Sequence, residues 1–299
     1  MKAHPGRMAS SEAWEVGILI EIRGLCKYYG QIKAVDRLDL TVGAGEIFGL
    51  LGPNGAGKTT TVRILTTLAR PTAGKIFING LEVTRRSVQA KREFGVVPQQ
   101  LNVDVELTAW ENMELHGMLH GLPRGERQAR IGELLAFVEL EDRAGTLVEH
   151  FSGGMKRRLM IARALMQRPR ILFLDEPTVG LDPQVRRRIW DLIRRLNGQG
   201  ITVLLTTHYI EEAEILCSRV GILNRGRLIA LGTPEDLREG VGRVVVEATG
   251  QDETEYHVFE NREQALQYAA GLTGDVVTVI RDSNLEDVFV ELTGGKVVG

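Results

Sequence analysis

The spacing of hydrophobic residues divides the chain into alternating strands and helices. Apolar and polar residues alternate over residues 18–30, which is typical of a strand with one buried face. Residues 46–51 form a continuous apolar run instead, as expected for a strand covered on both faces. The same patterns predict further strands at 34–42, 75–78, 95–97, 171–174, 202–205, 220–223 and 228–230, and helices at 59–69, 152–166, 183–196 and 210–217. This alternation predicts an α/β fold with a mostly parallel sheet.

Two regions depart from this alternation. Residues 101–150 have a helical pattern, and Thr108 and Glu111 have the spacing of a capping box. After turn residues at 232–234 and 239–242, the predicted order is strand, strand, helix, strand, helix, with a second capping box at Ser283 and Glu286. Pro71 is expected to end the helix at 59–69. The predicted regions are a flexible leader at 1–17, a main domain at 18–240 with a helical subdomain at about 101–168, and a small α+β domain at 241–299.

Composition narrows the class of protein. The chain has 299 residues, and its 37 Lys and Arg against 39 Asp and Glu give a net charge of -2. This balance argues against a nucleic-acid-coating protein, which usually carries a strongly basic domain. Cys26 and Cys217 cannot form a disulfide framework or a zinc ribbon, and both lie in apolar stretches that predict buried side chains. The first residues lack the apolar core of a secretory signal, and no apolar run is long enough to span a bilayer.

Residues 52–59 carry the clearest chemical signal. They fit the pattern G-x-x-x-x-G-K-[ST] between a predicted strand and a predicted helix, which is the context that this phosphate-binding motif requires. Backbone N–H groups of such a loop surround phosphate oxygens, and the positive end of the following helix points at the same anion. We expect Lys58 to reach the outer phosphates and the Thr59 hydroxyl to coordinate Mg²⁺. The candidate phosphate-binding residues are Gly52, Pro53, Asn54, Gly55, Ala56, Gly57, Lys58, Thr59 and Thr60.

Two adjacent acids follow the apolar strand predicted at 171–174. Ligands of open α/β sheets bind at the carboxyl ends of the strands, so Asp175 is placed to hold Mg²⁺ directly or through water. Glu176 is placed to orient and deprotonate an attacking water molecule. The alternative is a strand end followed by a solvated turn, and the phosphate-binding motif elsewhere in the chain favours the functional interpretation.

A second anion site is predicted at the start of the helix at 152–166. Ser152 is a natural N-cap, and Gly153 and Gly154 follow it. Lys156, Arg157 and Arg158 then occupy the first turns, where acidic residues are normally favoured. The alternative for these three cations is a solvated basic face.

These motifs together resemble those of ATP-binding-cassette (ABC) ATPases. The resemblance covers about residues 19–240. Within this family, the chain is similar to the ATPase subunits of bacterial ABC-2-type exporters, the group of daunorubicin-resistance and nodulation export proteins. Residues 151–158 and 285–294 support this subgroup. The resemblance implies a P-loop NTPase core with a helical subdomain and an N-terminal antiparallel β subdomain, beside the small C-terminal α+β domain. Met155 departs from the family's usual Gln, so it is left out of the predicted site.

The resemblance also implies roles for residues that the patterns alone do not explain. Tyr29 matches the aromatic residue that stacks on adenine, with Tyr28 as its rival. Gln99 matches the Q-loop residue that senses Mg²⁺ and the transporter, with Gln100 as the competing assignment. Asp182 matches the D-loop residue beside the nucleotide. His208 matches the switch histidine that contacts the γ-phosphate.

The resemblance implies ATP and Mg²⁺ as ligands and a shared mode of action. Two copies, or this chain and a similar ATPase subunit, would pack head to tail, each ATP lying between one phosphate loop and the partner's Ser152 helix. Hydrolysis would drive export through integral membrane permease subunits, with this chain peripheral on the cytoplasmic side of the cell membrane. Apolar residues of the helical region are candidates for contacting the permease, or alternatively pack internally: Trp110, Met113, Leu115 and Met118.

Two alternatives remain at this stage. One is an importer ATPase, which the C-terminal region disfavours. The other is a soluble ABC ATPase acting on nucleic acid or ribosomes. The stretch from Lys58 to Ser152 has no heptad run of the kind found in repair-type members, and the chain has one cassette where translation-type members have two. No nucleic-acid partner is therefore expected.

Overall fold

The computed structural model describes residues 17–250, 254–272 and 276–293. The predicted leader therefore lies almost entirely outside the described residues. Three sheets organise these ranges. The strands are β1 (Ile18–Tyr29), β2 (Ile32–Gly43), β3 (Ile47–Leu51), β4 (Ala73–Ile78), β5 (Leu81–Glu82), β6 (Phe94–Val97), β7 (Ile171–Asp175), β8 (Thr202–Thr207), β9 (Arg219–Asn224), β10 (Arg227–Gly232), β11 (Val244–Thr249), β12 (Thr254–Phe259) and β13 (Val277–Asp282).

The helices surround the central sheet and the C-terminal sheet. They are α1 (Lys58–Leu65), α2 (Val88–Arg92), α3 (Ala109–Leu119), α4 (Arg124–Phe137), α5 (Gly153–Ala164), α6 (Pro183–Gly198), α7 (Ile210–Leu216), α8 (Pro234–Glu239), α9 (Arg262–Gly271) and α10 (Leu285–Thr293). Within the described ranges, none of the helices combines the length and apolar character needed to cross a bilayer.

The central sheet has the strand order β10-β9-β3-β8-β7-β6, and its pairs from β9 through β6 are parallel. All residues of β3 and β7 are buried, because helices or a second sheet cover both faces. On one face, Phe48 and Phe173 pack with α1 against the antiparallel sheet β2-β1-β4-β5. On the other face, Leu51 and Leu174 pack with α3 to α7. The predicted α/β class with an N-terminal antiparallel sheet is confirmed.

The C-terminal elements form a separate antiparallel sheet in the order β12-β11-β13, with Val244 and Val246 facing Ala265 of α9. α10 joins this unit to the main core, because its Leu285, Val288 and Phe289 belong to the same apolar cluster as the central helices. The Leu285 backbone N–H also donates to the Glu214 carboxylate of α7 at 2.9 Å.

Two local predictions are wrong. α1 ends at Leu65 rather than at residue 69, because Thr67 adopts a left-handed backbone with φ of 63°, which a helix cannot continue. The last capping box begins one residue later than predicted. Asn284 Oδ1 accepts from the N–H groups of Glu286 and Asp287, and Asp287 Oδ2 accepts from Asn284 N–H at 2.8 Å. The sequence patterns also missed α8, which begins within the predicted boundary at 232–234 and has its own capping box between Thr233 and Asp236.

Candidate functional site

The loop at 52–57 joins buried β3 to α1 at the carboxyl edge of the central sheet. Gly57 precedes the helix with φ of 106°, a conformation that residues with a Cβ rarely adopt. A Cβ at Gly57 would also lie 2.3 Å from the Ala34 carbonyl oxygen. The motif therefore needs glycine here for both backbone conformation and close packing.

Lys58 is the first residue of α1, and its side chain is buried. Its ammonium donates to the carbonyl oxygens of Gly52 at 2.7 Å and Pro53 at 3.1 Å, and it lies 3.3 Å from Glu176 Oε1. Burial lowers the pKa of Lys58, and the neighbouring Glu176 carboxylate opposes this shift. The loop thus holds a cation at its centre and aims it at the end of β7.

Asp175 is the last residue of β7 and is buried. Its Oδ1 accepts from the hydroxyl groups of Thr59 at 3.1 Å and Thr206 at 2.6 Å. Burial raises the pKa of Asp175, and these two hydroxyl donors oppose the shift. A carboxylate and a hydroxyl side by side are oxygen ligands of the kind that Mg²⁺ prefers, so the donor set fits that ion.

Glu176 has a left-handed backbone with φ of 47°, which costs of the order of 1–3 kcal/mol in a residue with a side chain. Thr206 holds this conformation, because the Glu176 N–H donates to its hydroxyl at 3.0 Å and to its carbonyl oxygen at 3.1 Å. Strained backbone of this kind collects at functional sites. The sharp turn sends the Glu176 side chain towards Lys58.

Three predicted side chains meet at the Glu176 carboxylate. Lys58 approaches Oε1, as described above, and Gln99 Nε2 donates to Oε2 at 3.0 Å. His208 Nδ1 lies 3.2 Å from Oε2, but it is not aligned for a hydrogen bond and has no partner among the described residues. An unpartnered ring nitrogen at this position fits a residue that bonds to a bound phosphate.

A cavity of about 600 Å³ opens beside this cluster. Within the described part of the chain, Gln99 lines it and Gln100 does not. Tyr29 also lines it with 48% of its surface exposed, and Lys27 Nζ lies 4.6 Å from its ring centroid. The Tyr28 hydroxyl instead donates to Asp36 at 3.2 Å. The remaining lining residues are Ile32, Lys33, Ala34, Asn54, Gly55, Gly57, Lys58, Thr59, Thr60, Glu176 and Arg225.

The serine-capped helix and the D-loop residue form a second group. Ser152 Oγ accepts from the Met155 N–H at 3.3 Å, and Asp182 Oδ1 accepts from the Val185 N–H at 2.9 Å, so each caps its helix. A Cβ at Gly154 would lie 2.4 Å from Val185 Cγ1, which shows how closely α5 approaches α6. Ser152, Gly153 and Asp182 are exposed, and none of them lines the cavity that Lys58 lines.

The predicted basic anion site at Lys156, Arg157 and Arg158 is wrong for both arginines. Arg157 is buried, and its two terminal nitrogens donate to the carbonyl oxygens of Pro98 at 2.8 Å and Gln99 at 2.9 Å. Arg158 donates to the Val138 carbonyl oxygen at 2.7 Å. Both cations are directed at backbone carbonyl groups of the same subunit, because α5 packs between the loop after β6 and the end of α4.

Sequence reasoning missed two supporting residues. Thr206 is the hydroxyl donor described above. Glu212 of α7 is fully buried, and its Oε1 accepts from Thr178 Oγ1 at 2.8 Å and Trp190 Nε1 at 2.9 Å. Burial raises the pKa of Glu212, and hydroxyl donors oppose the shift. An acid beside Ala213 at the buried side of a helix is the signal that could have identified it.

The predicted apolar contact residues of the helical region separate into two kinds. Met113 is fully buried and packs in the main core, and Trp110 packs partly against it. Leu115 and Met118 are 42% and 51% exposed. Internal packing therefore accounts for Met113, while Leu115 and Met118 remain available at the surface.

Comparisons with known proteins identify the family to which the chain is similar. Residues 35–179 match the family model described as ABC transporter. The chain is 43% identical over 295 residues to the Nod factor export ATP-binding protein I of Cupriavidus metallidurans, covering 92% of this chain and 97% of that one. It is 46% identical over 236 residues to the daunorubicin resistance ATP-binding protein DrrA3 of Streptomyces coeruleorubidus, covering 78% and 75%.

A solved structure is also similar. It is an ATP-binding cassette determined as a dimer in a post-hydrolysis state with ADP and phosphate. The two chains superpose with a TM-score of 0.65 at 31% identity, covering 72% of this chain and 98% of that one.

The fold and the cluster at Glu176 define a P-loop ATPase of the ATP-binding-cassette class. The similarity to the export and resistance proteins extends over most of the chain, which narrows the classification to a subgroup. The chain belongs to the ATP-binding subunits of ABC transporters, in the group of ABC-2-type exporter ATPases. The family resemblance inferred from the sequence is confirmed.

Proposed function

We propose that the chain binds MgATP in the cavity beside Glu176, hydrolyses it in a head-to-tail dimer, and drives export through separate membrane subunits. One observation carries the proposal: Lys58, Gln99 and His208 converge on the Glu176 carboxylate beside the Thr59–Asp175 pair. Anion-binding, proton-accepting and metal-binding groups thus lie within one small volume, which phosphoryl transfer requires.

Nucleotide binding divides between the phosphate loop and an aromatic side chain. The loop residues listed above would surround the phosphates, with Lys58 at the outer ones. The half-exposed Tyr29 would stack on adenine at the mouth of the cavity. Thr59, Gln99 and Asp175 would hold Mg²⁺ directly or through water, and the ion would neutralise charge on the phosphate oxygens.

Hydrolysis would use Glu176 as the proton acceptor. The carboxylate orients a water molecule whose oxygen attacks the γ-phosphorus while the bond from that phosphorus to the bridging oxygen of ADP breaks. The water proton passes to Glu176 as phosphate forms. Gln99 and His208 would keep the carboxylate and the γ-phosphate in line, since both already lie within 3.2 Å of Glu176 Oε2.

A second copy would complete each site. Ser152, Gly153, Gly154 and Asp182 lie outside the cavity of their own subunit, and all of them except Gly154 are exposed, so they are available to the partner's nucleotide. The solved cassette with ADP and phosphate is itself a dimer. ATP would join the two copies, and loss of the γ-phosphate would release them.

The membrane partner would bind the apolar surface of the helical region. Five large apolar residues there are 42% to 74% exposed: Leu101, Val105, Leu115, Met118 and Leu119. Leu101 follows Gln99 closely in sequence, so a permease on this surface would contact the loop that reaches the catalytic carboxylate. The chain would then be a peripheral subunit on the cytoplasmic side of the membrane.

ATP turnover by single variants tests the proposal. Glu176→Gln is expected to keep ATP binding, lower kcat about 10²–10⁴-fold because the general base is lost, and elute as a dimer only with ATP. Lys58→Ala is expected to lose ATP binding. Glu263→Gln, at an exposed position of α9, serves as the control and should match the unmodified chain. Wild-type turnover by Glu176→Gln would contradict the proposed role.

A further inference from the structure

We propose that Arg157 is a positioning residue that links the exposed start of α5 to the Glu176 carboxylate of the same subunit. Through it, ATP bound against one subunit's Ser152 would set the catalytic geometry of that subunit's own nucleotide site. The inference rests on the proposed function, since only a dimer gives Ser152 a nucleotide to contact.

The first observation is the position of the guanidinium. Arg157 is 3% exposed, and its terminal nitrogens donate hydrogen bonds to the carbonyl oxygens of Pro98 and Gln99 rather than to a carboxylate. Its Nε has no hydrogen-bond partner among the residues described. Burying this cation costs free energy, which the two carbonyl acceptors and the charges of Asp175 and Glu212 offset only in part. An apolar residue here would leave both carbonyl groups without these donors, so the arginine is explained by the loop that it holds rather than by filling space.

The second observation is that Arg157 holds the loop that carries the Gln99 side chain. The Gln99 backbone is fixed by Arg157, and the Gln99 side chain donates to Glu176 Oε2 at 3.0 Å. The planar fork of arginine holds two carbonyl groups at once, so it fixes the orientation of this loop as well as its distance. A shift of Arg157 therefore changes the position of the amide that orients the catalytic carboxylate.

The third observation is the rigid connection on the other side. Arg157 and the capping residue Ser152 lie at the same end of the 12-residue helix α5. Ser152 and Gly153 are exposed, while Gly154 packs tightly on Val185. A movement of the helix start towards a partner's nucleotide would be transmitted to Arg157 with little loss, because hydrogen-bonded helices move as units.

Neighbouring arginines of α5 provide controls. Arg158 donates to Val138 and Glu139 at the end of α4, on another side of the helix. Arg163 donates to the Asn102 carbonyl oxygen at 2.8 Å, beyond the Q-loop residue. Arg158→Gln thus removes a cation and its backbone bonds from the same helix without touching Gln99.

The experiment measures ATP hydrolysis by the full chain against MgATP concentration for the unmodified protein, Arg157→Gln, Arg157→Lys and Arg158→Gln. Arg157→Gln is expected to lower kcat about tenfold and bring the Hill coefficient to about 1, while ATP affinity measured by calorimetry is unchanged. Arg157→Lys should recover part of the loss, because an ammonium reaches the carbonyl groups without fixing both. Arg158→Gln should keep the unmodified kcat and cooperativity.

The outcomes distinguish a failure of the proposed function from a failure of the role proposed for Arg157. The proposed function itself would be overturned by two results together. The unmodified protein would hydrolyse ATP without cooperativity, and the Glu176→Gln variant would form no dimer with ATP. A cooperative unmodified protein beside a folded Arg157→Gln with unchanged kcat and Hill coefficient would overturn only the role of Arg157. If Arg157→Gln does not fold, Arg157→Lys decides by the same two readouts.

Hydrogen exchange gives an independent check. In the Glu176→Gln background with ATP, the amides of residues 99 and 100 are expected to gain protection together with those at the start of α5. The Glu176→Gln protein that also carries Arg157→Gln should show protection at the start of α5 but not at residues 99 and 100. Equal protection at both segments in both samples would contradict the link.

Discussion

Thr206 supports both acids of the site, because its hydroxyl donates to Asp175 Oδ1 at 2.6 Å and accepts from the Glu176 N–H at 3.0 Å. In the parallel register of β7 and β8, Asp175 pairs with Thr206. The Thr206 side chain therefore lies next to both acids at the end of β7. The geometry of the two acids therefore depends on a residue that does not itself line the cavity beside Glu176.

Thr206→Val removes this hydroxyl with almost no change in shape. The Glu176 N–H loses one of its two acceptors and Asp175 loses its shorter donor, so we expect a loss of about 1–3 kcal/mol in the free energy of unfolding. Turnover should fall as well, because the backbone of Glu176 is less restrained. Urea unfolding and ATP hydrolysis measure the two effects, with Thr41→Val on the exposed face of β2 as the control. Identical unfolding curves would show that the hydroxyl contributes nothing.

Buried Glu212 predicts a particular pH dependence of stability. Burial raises its pKa above the ordinary value of 4.5, so its contribution to stability is full below pH 4.5 and is lost as pH rises through the folded-state pKa. Glu212→Gln keeps an acceptor for Thr178 and Trp190 but cannot ionise. The stability of this variant relative to the unmodified chain should therefore increase as pH rises from 4.5 to 8.

Urea unfolding at a series of pH values measures this difference. Glu211→Gln, on the exposed side of the same helix, is the control and should leave the pH profile unchanged. Parallel profiles for Glu212→Gln and the unmodified chain would contradict a raised pKa in the folded state. Fluorescence of Trp190 gives a local readout, because its indole N–H donates to Glu212.

Tyr29 and Tyr28 differ in their surroundings, and this difference predicts their roles. Tyr29→Ala should weaken ATP binding by about 1–3 kcal/mol, the usual value of base stacking on an aromatic ring, while Tyr29→Phe should bind like the unmodified chain. Tyr28→Phe loses the hydroxyl contacts to Asp36 and Cys26 and should leave ATP affinity unchanged. Calorimetric titration with ATP measures all three. Equal losses for Tyr28→Phe and Tyr29→Ala would show that the assignment to Tyr29 is wrong.

Local motifs account for what the sequence predicted well. The phosphate loop depends on residues within eight positions, so spacing alone identified the loop, Lys58 and Thr59. Asp175 and Glu176 could also be predicted from the sequence, because ligands bind where buried parallel strands end at the carboxyl edge of the sheet. The Thr108 capping box formed as predicted, since its two residues interact across a single turn.

Contacts distant in sequence account for what it did not predict. Arg157 looked like part of an anion site because its neighbours are basic, but its acceptors lie 59 and 58 residues away and are brought to it only by packing of α5. Thr206 lies 31 residues from Asp175, and nothing in its own strand marks it. α1 ended early because Thr67 takes a positive φ, which no local glycine announces.

Gly153 and Gly154 are adjacent in sequence but predict opposite responses to a methyl group. A Cβ at Gly154 would lie 2.4 Å from Val185 Cγ1, whereas the nearest atom to a Cβ at Gly153 is Leu181 Cδ2 at 3.6 Å. Overpacking of this kind costs about 1–3 kcal/mol, so Gly154→Ala should destabilise the chain and separate the starts of α5 and α6. Gly153→Ala should leave stability within about 1 kcal/mol of the unmodified chain.

A double-mutant cycle decides whether the clash with Val185 is the cause. Val185→Ala removes both γ-methyl groups, so it should restore most of the stability that Gly154→Ala loses, giving a coupling of about 0.5–3 kcal/mol between the two positions. Because Ser152 and Asp182 cap these two helices, ATP-dependent dimer formation by Glu176→Gln should weaken with Gly154→Ala and recover in the double variant. Additive effects on unfolding would place the cost at another contact of α5, and the distance between the two helix starts would then not control the dimer.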